Sequence, residues 1–149
     1  MSEIYKIKDN WLKNAKVNKE EYEKMYNESI IENDVFWSHQ GKRIFWYKPY
    51  TKIKDVLYSK EEVKIKWYYD GTTNVSYNCI DRHAESSPDK TAIIWEGDDP
   101  SKVKRISYKK LKTEVCKVAN VLKKIGVKKG DRVTIYLTMI PELAYVMLA

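Results

Sequence analysis

The sequence predicts an α/β protein in two sections: a helical and aromatic arm, then the beginning of an α/β domain with a mostly parallel sheet. Three observations carry this expectation. Residues 18–32 form an amphipathic helix with its own start signal, a dense run of aromatic side chains follows, and from residue 91 the pattern becomes strand, strand, long helix and apolar strand. The division is placed between 1–78, the arm, and 79–149, the start of the α/β section.

The first helix, "NKEEYEKMYNESIIE", has Asn18 as its cap and Glu21 at the third helical position to reach back, while Val17 can staple onto Tyr22. Tyr22, Met25, Tyr26 and Ile30 recur at helical spacing on one face. The next stretch, "DVFWSHQGKRIFWYKPYTKIKDVLY", reads as irregular. Phe36, Trp37, Phe45, Trp46, Tyr47 and Tyr50 are too many large rings for a solvated linker, so the segment is expected to bury them against a larger body. "YYDGTT" is a turn, Asn78–Ser86 a helix, and "SSPDK" its stop.

"TAIIWE" and "KVKRISY" read as two strands joined by a "GDDP" turn. Ser107 then caps a long helix whose apolar stripe is Tyr108, Leu111, Val115, Val118, Ala119, Leu122 and Ile125. Gly126 stops it, Val127 supplies the hydrophobic contact just after, and "KKGD" turns the chain. "RVTIYL" is apolar almost throughout, as strands buried on both faces are. Strand, helix and strand predict a right-handed crossover on a parallel sheet, and Pro141 with Glu142 opens the next helix. That last helix is apolar on nearly every side and ends at Ala149 without a cap, which reads as a chain cut short.

Composition excludes several functions. The 149 residues suffice for one domain, and 43% hydrophobic content with five tryptophans argues for a real core. The net charge is +7, but only Arg43, Arg82, Arg105 and Arg132 are arginine, and lysines are interleaved with 21 acids. Nucleic-acid readers favour the bidentate guanidinium, so a solvated surface is the expectation and no nucleic-acid partner is assigned. The first thirty residues hold no signal-peptide apolar run. Residues 133–149 are too short and too polar for a membrane span, so a cytoplasmic, membrane-free protein is expected. Cys79 and Cys116 form no CxxC pair, and His39 and His83 have no metal-ligand spacing.

The search for chemistry returns no active site. Five glycines, at 41, 71, 97, 126 and 130, are unclustered and make no phosphate loop. Asp81, Arg82 and His83 are consecutive on a helix and point apart, which favours a salt bridge from Asp81 or Arg82 and a hydrogen-bonded His83 at a helix end. Glu142 reads as a helix-start carboxylate, and Lys128, Lys129 and Asp131 as a solvated turn. No residue is assigned a catalytic, cofactor-binding or metal role.

Long strings nevertheless resemble the N-terminal part of AMP-forming acetyl-CoA synthetases (acetate–CoA ligases), a branch of the adenylate-forming enzymes. They are "FWSHQGKRIFWYKPYTKIKDV", "KWYYDGTTNVSYNCIDRHAESSPDKTAIIWEGDDP" and "RISYKKLKTEVCKVANVLKKIGVKKGDRVTIYLTMIPELAYVMLA", in family order over most of 35–149. The resemblance implies an arm ahead of an adenylation domain. It also implies a ligase that uses Mg-ATP to convert acetate to acetyl-AMP with release of pyrophosphate, after which coenzyme A displaces AMP. The family's ATP-phosphate loop, acetate-pocket tryptophan, ribose-binding aspartate, catalytic lysine and coenzyme A contacts lie beyond Ala149, and neither Lys128 nor Lys129 stands in the lysine's motif. The chain is therefore expected to be an inactive N-terminal piece. A propionate-preferring relative and a non-catalytic interaction module are the alternatives. Thr138 stands where relatives commonly have proline, and Tyr145 replaces a smaller aliphatic residue and needs more room in the core.

Overall fold

The computed structural model describes residues 5–149. The chain divides into two compact units, Met1–Thr72 and Thr73–Ala149. Each mixes helices with a two-stranded antiparallel sheet, so both elements of the expected α/β class are present.

The first unit contains α1 (Asp9–Asn14), α2 (Lys19–Ile31), α3 (Asn33–Gly41), β1 (Lys54–Tyr58) and β2 (Val63–Trp67). Helix α2 starts as its sequence dictates. The Asn18 side chain accepts from the Glu21 amide at 2.8 Å, and the Glu21 carboxylate accepts from the Asn18 amide at 3.3 Å. Tyr22 and Tyr26 stack with centroids 6.1 Å apart on the expected face.

The aromatic segment is more regular than its sequence suggests. Its first third is α3 and its last residues are β1, which pairs in register with β2 from Lys54↔Trp67 to Tyr58↔Val63. The rings pack mostly on one another. Trp46 lies 4.9 Å from Tyr50, Tyr50 lies 4.6 Å from Tyr68, and Trp37 lies 5.7 Å from Trp67. Their polar ends bond carbonyls in the C-terminal half of α3. Trp46 donates to the Gly41 carbonyl at 2.8 Å, Tyr68 to Trp37 at 2.7 Å, and Tyr50 to Ser38. Tyr68 is held at φ +47°, a conformation that disfavours bulky side chains. Its hydroxyl bond and ring contacts offset that strain.

The second unit opens with a π-helical turn, Tyr77–Asp81, continued by α4 (Arg82–Ser86), β3 (Thr91–Glu96), β4 (Val103–Ser107), α5 (Tyr108–Lys124) and α6 (Pro141–Leu148). The hairpin, the Ser107 cap and the long helix fall where the sequence puts them; the Ser107 hydroxyl accepts from the Lys110 amide. The helix ends in a Schellman motif: the Val127 amide reaches the Leu122 carbonyl at 3.1 Å and the Gly126 amide reaches Lys123, with Gly126 at φ +94°. A methyl added at Gly126 meets nothing within 4 Å. Gly126→Ala is therefore expected to cost about 1 kcal/mol from backbone strain alone, measurable by urea denaturation.

The core of this unit is Ile80, Ile106, Leu111, Val115 and Tyr145, with Ala92, Ile93, Val118 and Leu148 packed against it. Tyr145 thus takes a central place. The apolar stripe of α5 is buried only in its first half, because the hairpin and α6 cover Leu111 and Val115 but leave Ile125 exposed.

One expectation is corrected. Residues 132–138 form no strand, and the unit has no parallel sheet; its one hairpin is antiparallel. A strand exists only through a neighbour's ladder, and no described segment pairs with this one.

Candidate functional site

The chemically equipped side chains do not converge. Asp81 forms an ion pair with Lys112 at 2.8 Å, and this hydrogen bond raises the lysine's pKa. Arg82 donates to Asn78 at 3.2 Å. The His83 ring packs 5.0 Å from that of Tyr108 and makes no hydrogen bond among the described residues, contrary to expectation. Three consecutive residues thus serve three separate structural contacts. Lys128 and Asp131 close their turn through the Lys128 amide and the Asp131 carboxylate at 2.7 Å, and Glu142 is exposed in the first turn of α6. Cys79 and Cys116 are free and exposed. Among the described residues no group of three or more His, Cys, Asp or Glu is placed to hold a metal.

Concave features occur in both units. In the first, Trp37, Gln40, Gly41, Ile44, Trp67 and Tyr68 line a cavity of about 290 Å³. It is walled by aromatic rings and lacks a charged group, so it offers shape and apolar contact but no acid, base or nucleophile. In the second, a groove of about 660 Å³ runs beside α5 with Lys109, Lys112, Cys116 and Lys117 among its walls. Its cationic appearance is largely cancelled. Lys112 is engaged by Asp81, and Lys117 bonds Glu114 at 3.1 Å.

The strongest electrostatic perturbation lies elsewhere. Asp70 accepts from the Thr51 hydroxyl at 2.6 Å and from the Thr51 and Lys52 amides at 3.0 Å. These bonds, the hydroxyl's foremost, lower its pKa to about 2 from 3.8. The carboxylate fastens the segment before β1 to the turn after β2, a structural clamp that the sequence did not reveal. Because the folded pKa is depressed, the clamp's stabilisation is complete above about pH 4 and is lost as pH falls toward 2. Acid titration of the first unit, followed by tryptophan fluorescence, should show this loss in the native chain, and Asp70→Asn should flatten it.

Residues 80–149 match the AMP-binding enzyme family, and residues 22–79 match the acetyl-coenzyme A synthetase N-terminus. The N-terminal match thus runs directly into the AMP-binding match along the chain. It is 56% identical over 146 residues to the acetyl-coenzyme A synthetase of Methylocella silvestris, covering 98% of this chain and 23% of that protein. The synthetase of Rhizobium rhizogenes is 56% identical over 150 residues, covering 100% of this chain and 23% of the relative. Among solved structures, acetoacetyl-CoA synthetase from Streptomyces lividans superposes with a TM-score of 0.72 at 25% identity, over 85% of this chain and 19% of that one. The chain thus spans about a quarter of the length of the relatives it matches. No helix among the described residues is long and apolar enough to cross a membrane.

Proposed function

We propose that this chain forms the N-terminal part of an AMP-forming acetate–CoA ligase. The carrying observation is the 56% identity to acetyl-coenzyme A synthetases, sustained over 98% of the chain. In the proposed reaction an acetate oxygen attacks the α-phosphorus of ATP and pyrophosphate leaves. The resulting acetyl-AMP is a mixed anhydride, and coenzyme A thiolate then displaces AMP from its carbonyl. Magnesium and cationic groups would neutralise the phosphate charge during the first step. We assign ATP, magnesium, coenzyme A and acetate to the synthetase as a whole, acting in the cytoplasm, and no catalytic role to any residue of this chain. Residues 1–78 then form the arm and 79–149 the opening of the adenylation domain.

Acetate-dependent exchange of pyrophosphate into ATP tests the reading. The chain alone is expected to give none. A chimera in which it replaces the matched region of the Methylocella silvestris synthetase is expected to exchange with acetate. Exchange by the isolated chain, or a chimera that gives no acetate-dependent exchange, would overturn the proposal.

A further inference from the structure

The net charge of +7 is not spread over the chain. Residues 109–132, most of α5 and the turn after it, hold nine basic residues and two acids, a net +7, while the remaining 125 residues hold 19 of each and balance. The interleaving of lysines with acids therefore holds outside this segment and fails inside it. Three of the nine are engaged: Lys110 and Lys117 by Glu114, and Lys112 by Asp81. The other six, Lys109, Lys123, Lys124, Lys128, Lys129 and Arg132, are exposed, and their side chains form no ion pair among the described residues. Asp131, the second acid, is turned onto the Lys128 amide at 2.7 Å. Helical register gathers the cations of α5. Lys109 and Lys124 are about four turns apart and share the face opposite Leu111 and Val115, which are buried in the core. The apolar side of the helix packs on its own unit there, so the outward face offers charge and no anchor for insertion.

We propose that the lysine face of α5, with the turn that follows it, is a peripheral docking surface for an anionic lipid bilayer, held by charge alone. Clusters of roughly four to eight Lys or Arg on an amphipathic helix recognise anionic headgroups, each cation strengthening binding about fivefold. Six unengaged cations fall in that range. A polynucleotide fits less well. Residues 109–132 contain no aromatic side chain to stack on a base, and Arg132 is their only guanidinium for base edges or bidentate phosphate contacts. A bilayer asks for neither, because its headgroups diffuse to meet lysine point charges. Peripheral contact departs from the expectation of a membrane-free protein without requiring a spanning helix, and none is present among the described residues. The inference stands apart from the ligase reading, since it uses only the charge of this chain.

The test mixes the 149-residue chain with vesicles of phosphatidylglycerol and phosphatidylcholine in equal parts, or of phosphatidylcholine alone, and measures bound protein by sedimentation. Binding to the anionic vesicles is expected at low salt and is lost above about 0.5 M sodium chloride; the neutral vesicles should bind none. Lys109→Gln/Lys123→Gln/Lys124→Gln should weaken binding about a hundredfold and leave the circular dichroism of the chain unchanged. Lys13→Gln/Lys42→Gln/Lys60→Gln removes the same number of charges from exposed lysines of the first unit and should weaken binding less than about threefold. Both variants keep every apolar side chain, so exposed apolar surface does not distinguish them. Equal losses in the two overturn the proposal in favour of net charge, and equal binding to neutral vesicles overturns it in favour of apolar adsorption. Tighter binding to duplex DNA than to anionic vesicles at the same ionic strength overturns it in favour of a polynucleotide. Failure to bind the anionic vesicles overturns it outright.

Discussion

Ile80→Ala is expected to abolish cooperative unfolding of residues 73–149 while leaving the first unit unchanged. Ile80 is 1% exposed and lies on the π-helical turn, where it meets Ile106, Leu111, Val115 and Tyr145 in the one cluster of buried apolar residues described. Truncating a fully buried isoleucine costs about 2–5 kcal/mol, from lost transfer energy and the cavity left behind. A unit of this size has about 4–10 kcal/mol of stability in total, so the loss takes up much or all of it. Asp81, the last residue of the π-turn, is tied to Lys112 on α5, which restrains collapse into the space. Trp95 is the only tryptophan after residue 72, so its indole resonance reports on this unit alone. Ile94→Ala, on the exposed side of β3, is the control and should change the transition little. A native-like transition in Ile80→Ala would remove Ile80 from the centre of the core.

What the sequence disclosed depended on how local the determining physics was. Asn18 with Glu21, Ser107, Gly126 and Pro141 act within a turn of themselves, and each starts or stops a helix where its chemistry requires. The hairpin of β3 and β4 was legible for the same reason. Strand β2 carried a signal of its own, because Val63, Ile65 and Trp67 alternate with Lys64 and Lys66; the neighbouring aromatic run obscured it. That run also hid α3, since Phe36, Trp37 and the later rings have high strand propensity and only the fold shows them meeting the α3 carbonyls. Residues 133–137 failed in the opposite sense. Their pattern is strand-like, but the ladder that would define it is non-local. The Asp70 clamp was equally invisible, because Thr51 and Asp70 are far apart in sequence and meet only once the β1–β2 hairpin closes. No active site was legible in the residues. The family was legible in long strings, which record common descent rather than any local physics.

In the first unit the expected result is that Gly41→Ala lowers stability by about 2–3 kcal/mol, the upper range for inserting a methyl into a packed site. A methyl at Gly41 would come within 2.5 Å of the Tyr50 hydroxyl oxygen and 2.8 Å of its ring carbon Cζ. The Tyr50 ring has nowhere to retreat. Its hydroxyl donates to Ser38, and its faces meet Trp46 at 4.9 Å and Tyr68 at 4.6 Å. Trp46 is fixed in turn by its bond to the Gly41 carbonyl, and a methyl at Gly71 would lie 2.8 Å from its ring. The disturbance therefore spreads through the bonds that close the end of α3, whereas Gly126→Ala is confined to one backbone angle. Because the nearest atom is the hydroxyl oxygen, the double variant Gly41→Ala/Tyr50→Phe should recover part of the loss, even though Tyr50→Phe alone destabilises by removing the Ser38 bond. A double-mutant cycle on the urea midpoint of the first unit measures that coupling. Additive effects of the two substitutions would mean that Gly41 and Tyr50 do not oppose each other, and that the glycine at the end of α3 is not required by the ring packed against it.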